Sequence, residues 1–328
     1  MSEPSVVRDI ARLIRDHKRI AIFGHMRPDA DCVGSQLALY HAITRLGGGP
    51  EMWLPDKVPP TCLFLPGSAD IRFEGSPAVK DGLVVVLDTP RPERLGRHAE
   101  CVKGLPVVVN IDHHGSNVSW GTHNWVDTGA SATAELIYPL LKELGVAVDL
   151  DIATCLYAGI ITDTGRFCYS NTTSFTHQLA GELLSFGLSS HSVAERLYAQ
   201  NRLEKIKLLG EVLSTLSVDE GGEIASLKIT PAMYEKSGAT SEDADGFINY
   251  ARDLVGIKVA VLFEELPNGA GVRISLRSRD GRIDVDKIAR RYGGGGHPAA
   301  AGAMIQGRPQ LIERGLLDDV RRAIAGER

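Results

Sequence analysis

Leu105-Pro106-Val107-Val108-Val109-Asn110-Ile111-Asp112-His113-His114 runs from an unbroken apolar stretch straight into an acid and two adjacent imidazoles. The apolar part reads as a strand covered on both faces, as does Leu83-Val84-Val85-Val86-Leu87, which ends on Asp88. Placing Asp112, His113 and His114 at the end of a buried strand is costly, on the order of several kcal/mol, unless something binds them. Working outward, Arg19 to Gly24 is a third short buried strand, followed by a helical pattern from Gly34 through Leu46 that Gly47-Gly48-Gly49 stops. Apolar residues at three- and four-residue steps from Val6 to Ile14 predict an amphipathic first helix, and Ala134–Leu144 and Ile152–Ile161 predict two more. Strands alternating with helices mean a mainly parallel sheet sandwiched by helices, and ligands of such sheets collect at the carboxyl ends of the strands.

The chain has 328 residues, enough for two cores. From Glu223 the pattern changes. Ile224–Ile229, Lys258–Leu266 and Gly271–Ser278 read as strands, with helices near 242–255, 284–292 and 309–325, a smaller mixed α/β domain. The expected organisation is therefore α/β throughout: a catalytic domain over 1–187, a helical linker over 188–218 and a second domain over 219–328. A net charge of −5 argues against a broad grip on long nucleic acid, which needs a basic face, but leaves room for a short anionic substrate. The five cysteines are scattered without CxxC spacing, which fits reduced thiols of a cytoplasmic protein. The N-terminus has no basic and apolar leader pattern, and no apolar stretch has the length of a membrane span.

The acids at strand and helix ends fall into four groups. His25, Asp29 and Asp31 lie on the loop that leaves the first strand and enters a helix; Asp88 ends the second strand; Asp112-His113-His114 ends the third; and Asp163 ends an apolar helix. Alone, Asp29 reads as an N-cap, Asp88 as a turn residue and Asp163 as a cap. Together they read as one metal centre. Carboxylates mixed with imidazole suit Mn²⁺ best, with Mg²⁺, Fe²⁺ or Co²⁺ as alternatives, and four acids balance two divalent ions. Such a pair neutralises phosphoryl oxygens and activates water. Without metal the acids would raise one another's pKa, so metal binding and local order should be linked. In the second domain, Tyr292-Gly293-Gly294-Gly295-Gly296-His297-Pro298-Ala299-Ala300-Ala301-Gly302 has almost no side-chain bulk, so its backbone can approach an anion. Arg273 and Arg277 share one face of a strand, where either could clamp phosphate or simply be solvated.

These motifs resemble those of the DHH phosphoesterase superfamily: His25-x-x-Pro28-Asp29-x-Asp31-x-x-Gly34-Ser35, Asp88, Asp112-His113-His114 and Asp163-Thr164-Gly165. The run Gly293–Gly302 resembles the glycine-rich signature of the DHH-associated C-terminal domain. Length, domain pairing and the stretch through Ser119, Asn124, Asp127 and Ala130-Ser131-Ala132-Thr133 resemble the bacterial oligoribonuclease/pAp phosphatase branch. Ala30 stands where that family more often has Gly. The resemblance implies that His25, Asp29 and Asp88 hold one ion, and that Asp31, Asp88, His113 and Asp163 hold a second, with Asp88 bridging. It implies substrate contact by His114, support of the histidines by Asp112, and a phosphate grip by Arg277, Gly295, Gly296 and His297. The implied catalytic set is Asp88, Asp112, His113 and His114. The implied activity is release of 5′-mononucleotides from very short RNA and conversion of 3′-phosphoadenosine 5′-phosphate (pAp) to AMP. Partners would be short RNA, pAp or dinucleotides, with no long nucleic acid and no membrane; a homodimer is left open. The alternatives are a cyclic di-AMP or pApA phosphodiesterase, an inorganic pyrophosphatase, and a catalytically inactive nucleotide sensor. Phe167 and Tyr169 are candidates for stacking on a base, or equally for the core.

Overall fold

Five short strands line up in parallel in the first unit because their apolar runs must be covered on both faces. The structure, a computed structural model, describes residues 4–327 except 76, 78–81 and 280. It divides into two units, Met1–Gln200 and Asn201–Arg328. The first unit holds α1 (Pro4–Asp16), β1 (Ile20–Phe23), α2 (Ala30–Arg45), β2 (Glu51–Trp53), β3 (Leu83–Leu87), α3 (Ala99–Val102), β4 (Val108–Asp112), β5 (His123–Val126), α4 (Thr133–Leu144), α5 (Leu150–Asp163), α6 (Ser174–Leu184) and α7 (Ser190–Tyr198). Its sheet runs β2-β1-β3-β4-β5, and every pairing is parallel.

Every residue of β3 and β4 is buried. Leu83, Val85 and Leu87 face one core with α2, α4 and α5, while Val84 and Val86 face a second with Phe23, Trp53 and Leu95. The period-two alternation of a strand thus feeds two apolar faces. The short edge strands β2 and β5 carry Glu51, His123 and Asn124, so they lack the apolar run that made the central strands legible. Helix α2 lies against α5 closely enough that a Cβ on Gly34 would come within 2.3 Å of the Cys155 carbonyl oxygen. Gly34 therefore serves that packing in the second turn of α2, not the opening of the helix. The helix begins four residues earlier, at Ala30, because the Asp29 side chain accepts the Cys32 amide and caps it.

The second unit holds α8 (Leu203–Leu213), β6 (Ser217–Val218), β7 (Ile224–Ile229), α9 (Pro231–Ser237), α10 (Ile248–Arg252), β8 (Val259–Glu265), β9 (Val272–Ser278), α11 (Val285–Arg290), β10 (Gly295–His297), β11 (Ala300–Ile305) and α12 (Pro309–Glu327). Its sheet runs β10-β11-β9-β8-β7-β6, parallel between β7 and β8 and antiparallel elsewhere. The helix expected near 242–255 is interrupted at Gly246, whose φ of +84° suits glycine. The stretch 188–218, read from sequence as one helical linker, contains two helices with separate allegiances. Val193 and Leu197 of α7 are buried in the first unit's core, and Leu208 and Val212 of α8 in the second's. No helix of the described residues is long and apolar enough to cross a membrane.

Candidate metal centre

The carboxyl ends of β1, β3 and β4, the first turns of α2 and α4 and the last turn of α5 bring the first unit's acid and imidazole groups together. Asp88 stands at the centre. It follows β3 with φ +56°, a left-handed conformation that non-glycine residues adopt at a cost, and its amide donates to the Ile111 carbonyl. Its carboxylate is buried and its two oxygens face different ways. Oδ2 is 3.2 Å from His25 Nε2, while Oδ1 is 3.6 Å from His113 Nε2, 3.5 Å from His114 Nδ1 and accepts the Thr133 hydroxyl at 3.0 Å.

On the His113 side lie Asp31 and Asp163. His113 Nε2 is 3.1 Å from Asp163 Oδ2 and 3.9 Å from Asp31 Oδ2. Asp31 is fully buried and belongs to the first turn of α2, not to the preceding loop as the sequence suggested, because Asp29 starts the helix. Its Oδ2 accepts the Thr133 amide at 2.6 Å, and its Oδ1 accepts the Ala134 amide at 2.8 Å and the Ser35 hydroxyl at 3.1 Å. Gly159 of α5 is needed beside it, since a Cβ there would sit 2.7 Å from Asp31 Oδ1.

On the other side, His25 Nε2 is 3.8 Å from Asp29 Oδ1, and His25 Nδ1 is 2.9 Å from the Met26 carbonyl oxygen. The Arg94 guanidinium, which can only donate, lies 3.0 Å from the same Nδ1. Buried Cys32 accepts the His25 amide, and its sulfur, His25 and Asp88 can offer ligand atoms within 4.8 Å of one another. Sequence reading gave that thiol no place here; a cysteine one residue past Asp31 offered no spacing signal. The groups Asp88–His113–His114 and Asp31–His113–Asp163 meet the same criterion.

Asp112 is engaged differently. Its Oδ1 accepts the His113 amide at 2.9 Å, the His114 amide at 3.3 Å and His114 Nδ1 at 2.7 Å, and its Oδ2 accepts Asn117 Nδ2 at 2.6 Å. It builds the turn that aims both rings.

Burial pushes the Asp31 carboxyl well above the usual range, with the Asp88 and Asp163 charges adding to it. Burial likewise raises Asp163, to about 6, against the pull of His113. For Asp88 burial acts upward too, but the His25 bond and the His114 and His113 charges outweigh it and hold the carboxyl below its ordinary value. Burial would lower His113; the Asp163, Asp88 and Asp31 carboxylates instead raise it to about 10. Acids packed this closely favour positive charge among them, which the neighbouring imidazoles or a bound metal ion can supply. The fit to metal rests on one atom. His113 Nε2 is buried and makes no hydrogen bond, although Asp31, Asp88 and Asp163 surround it. A ring nitrogen ion-paired with Asp163 at 3.1 Å and flanked by two further carboxylates, yet aligned for a hydrogen bond to none, suits a common ligand in the middle.

Beyond Asp163 the chain coils through Gly165, Arg166 and Phe167, all at positive φ. Phe167 stacks on His177 at 5.2 Å and packs against the core, whereas Tyr169 is half-exposed over Gly165. In the second unit the glycine run forms a hairpin, not a loop. Gly295, Gly296 and His297 pair with Gly302, Ala301 and Ala300. A Cβ on Gly294 would meet the Gly302 carbonyl oxygen at 2.1 Å, and one on Gly296 the Ala300 oxygen at 2.4 Å, so close strand pairing demands these glycines. The Gly296 amide donates to Asp286 at 2.7 Å. His297 and Arg277 both register with Ala300, on one row of the sheet, and Arg273 pairs with Glu264 at 3.1 Å.

Both units are similar to known proteins. The DHH family, N-terminal domain, matches residues 19–160, and the DHHA1 domain matches residues 223–326. The bifunctional oligoribonuclease and PAP phosphatase NrnA of Thermus thermophilus is 37% identical over 88% of this chain and 84% of its own length. The protein of the same name from Bacillus subtilis is 33% identical over 90% of this chain and 92% of its own. The crystal structure of an exopolyphosphatase-related protein from Bacteroides fragilis superposes with a TM-score of 0.89 at 23% identity, covering 98% of each chain, and so shares the fold. With its acids and imidazoles gathered at the strand ends and both domains matched in order, the chain belongs to the DHH family of phosphoesterases.

Proposed function

We propose that this chain is a two-metal phosphoesterase that cuts very short RNAs to 5′-mononucleotides and converts pAp to AMP. The observation that carries the reading is the buried, unbonded His113 Nε2 facing Asp31, Asp88 and Asp163. The relatives' names supply the substrate class. His25, Asp29 and Asp88 would hold one ion and Asp31, Asp88, His113 and Asp163 the other, Mn²⁺ being the ion that this ligand mixture favours. When bound, the ions neutralise phosphoryl oxygens and lower the pKa of water.

The chain's own groups do the rest. Hydrolysis adds water across a P–O bond: the water oxygen joins phosphorus, the bond to the leaving oxygen breaks, and one proton ends on that oxygen. Asp112 accepts a hydrogen bond from His114 Nδ1 and, with Asp88, favours the charged ring despite burial acting the other way, and in that ring Nε2–H would donate to a phosphoryl oxygen. In the second unit, Arg277, His297 and the Gly295–Gly296 backbone are assigned to phosphate binding; an anion at the Gly296 amide would replace Asp286.

The test is incubation of the purified protein with Mn²⁺ and, separately, pApA, pAp, cyclic di-AMP, a longer RNA and pyrophosphate. Turnover of pApA and pAp, with the longer RNA slow, is expected. Turnover of cyclic di-AMP in preference to both would transfer the assignment to a cyclic-dinucleotide phosphodiesterase. Product from pyrophosphate alone would overturn the reading, and tight nucleotide binding without any turnover would make the chain a sensor.

A further inference from the structure

Thr133 opens α4 and is fully buried. Threonines late in a helix return their hydroxyl to the preceding turn, as half-buried Thr162 does to the Ala158 carbonyl at 2.9 Å and Thr164, capping the same helix, to the Ile160 carbonyl at 2.7 Å; buried Thr176, in the first turn of α6, reaches Glu135 at 3.0 Å instead. At the first position of a helix there is no preceding turn to bond. The Thr133 hydroxyl goes instead to Asp88 Oδ1 at 3.0 Å, a carboxylate 45 residues away. The backbone around it is equally committed. Ala132, at the N-cap, has no side chain to bond the first amides of α4. The Thr133 and Ala134 amides are satisfied by the two oxygens of Asp31, at 2.6 and 2.8 Å. One helix end therefore holds two of the three carboxylates assigned to the second ion, Asp31 and Asp88, where its dipole favours negative charge.

We propose that Thr133 is a positioning residue for the metal pair, its hydroxyl fixing the rotation of the bridging Asp88 carboxylate. With Oδ1 held by Thr133, Oδ2 is left toward His25 at 3.2 Å while Oδ1 stays on the His113 and His114 side. That rotation presents one oxygen to each half of the site. Without the hydroxyl the carboxylate can turn and favour one half. The inference rests on the two-ion reading above and adds what makes Asp88 a bridge rather than a ligand of one ion.

Two substitutions separate the hydroxyl from the amide. Thr133→Val keeps the backbone bonds to Asp31 and removes only the hydroxyl, and Thr133→Ser restores it. Each protein, and Thr133→Ala should the valine variant fold poorly, is titrated with Mn²⁺ by equilibrium dialysis and examined by low-temperature electron paramagnetic resonance. We expect two ions per chain and a spin-coupled signal in the wild type and in Thr133→Ser. In the variants lacking the hydroxyl, one ion should bind about 10- to 100-fold more weakly, the range typical of losing a group that orients a ligand, and the coupled signal should disappear. Wild-type affinity and coupling in Thr133→Val or Thr133→Ala would overturn the role of Thr133 alone. A wild type that takes up fewer than two ions would overturn the two-metal reading itself.

Discussion

The acid cluster of the first unit and the glycine hairpin of the second carry the two most conspicuous sequence signals in the chain, and packing explains them to different degrees. In the hairpin, Gly294 and Gly296 are required because neighbouring carbonyl oxygens leave no room for a Cβ. Strand pairing alone accounts for them, with or without a ligand. In the acid cluster, Asp31 and Asp88 are buried, Asp88 has a left-handed backbone and His113 Nε2 goes unbonded. Burying these carboxylates costs stability; hydrogen bonds from Thr133, Ala134 and Ser35 offset it, but apolar packing does not explain why acids stand there. A residue type whose structural explanation is expensive points to function; one whose structural explanation is cheap does not.

That contrast can be broken from either side. The largest effect is expected of Asp88→Ala, which would remove the ligand proposed to be shared by both ions. Hydrolysis of pApA should fall well beyond the roughly 10- to 100-fold typical of outer-shell losses, with the protein still folded by circular dichroism; near-normal turnover would return Asp88 to being a turn residue. Next comes Asp112→Ala. It leaves the His113 and His114 amides without this acceptor and Asn117 Nδ2 with only its bond to Asn110. Activity should drop by about 10- to 100-fold, and denaturant unfolding should show a loss of roughly 1–3 kcal/mol. A stable variant with full activity would show that the histidine turn holds itself.

On the hairpin side, His297→Ala removes an exposed side chain and leaves every glycine in place. If the hairpin binds phosphate, KM for pAp should rise about tenfold, the equivalent of roughly 1.4 kcal/mol, with kcat and melting temperature unchanged. An unchanged KM would leave packing as the hairpin's whole explanation. The smallest effect is expected of Asp149→Ala, at the opposite end of α5 from Asp163. Asp149 caps α5 through the Ile152 amide, and although partial burial pushes its carboxyl up, that bond and Arg45 hold it below its ordinary value. A group with a depressed folded pKa stabilises above its unfolded value, about 3.9, and loses that contribution as pH falls through the folded one. The variant should be about 1 kcal/mol less stable at neutral pH, and the gap should narrow in acid, while activity holds.

The central strands and the ligand candidates were legible because both rest on local pattern: an unbroken apolar run, then an acid. Legibility stopped where a residue's role depends on a distant partner. Asp29 was read as cap or ligand, and its geometry serves the first while placing it 3.8 Å from His25 for the second. Thr133 has no role legible in the sequence, since its acceptor lies 45 residues back and only the meeting of α4 with the end of β3 supplies it. Cys32 was hidden by its neighbour Asp31: adjacent helix positions point in different directions, one toward α4 and the other toward His25. The interrupted helix near Gly246 and the division of 188–218 between two cores are likewise decided by tertiary burial rather than by periodicity. The expected dependence of local order on metal is also modified, because Asp31 has amide partners of its own at the head of α4.

The central claim is a single dinuclear centre organised about Asp88. Counting Mn²⁺ bound per chain in the wild type and in Asp88→Ala, on the same preparations assayed for pApA hydrolysis, tests it most directly. The account predicts two ions and turnover in the wild type, and fewer than two ions with no turnover in the variant. Two ions retained in Asp88→Ala, or a wild type that hydrolyses pApA while holding only one, would contradict it.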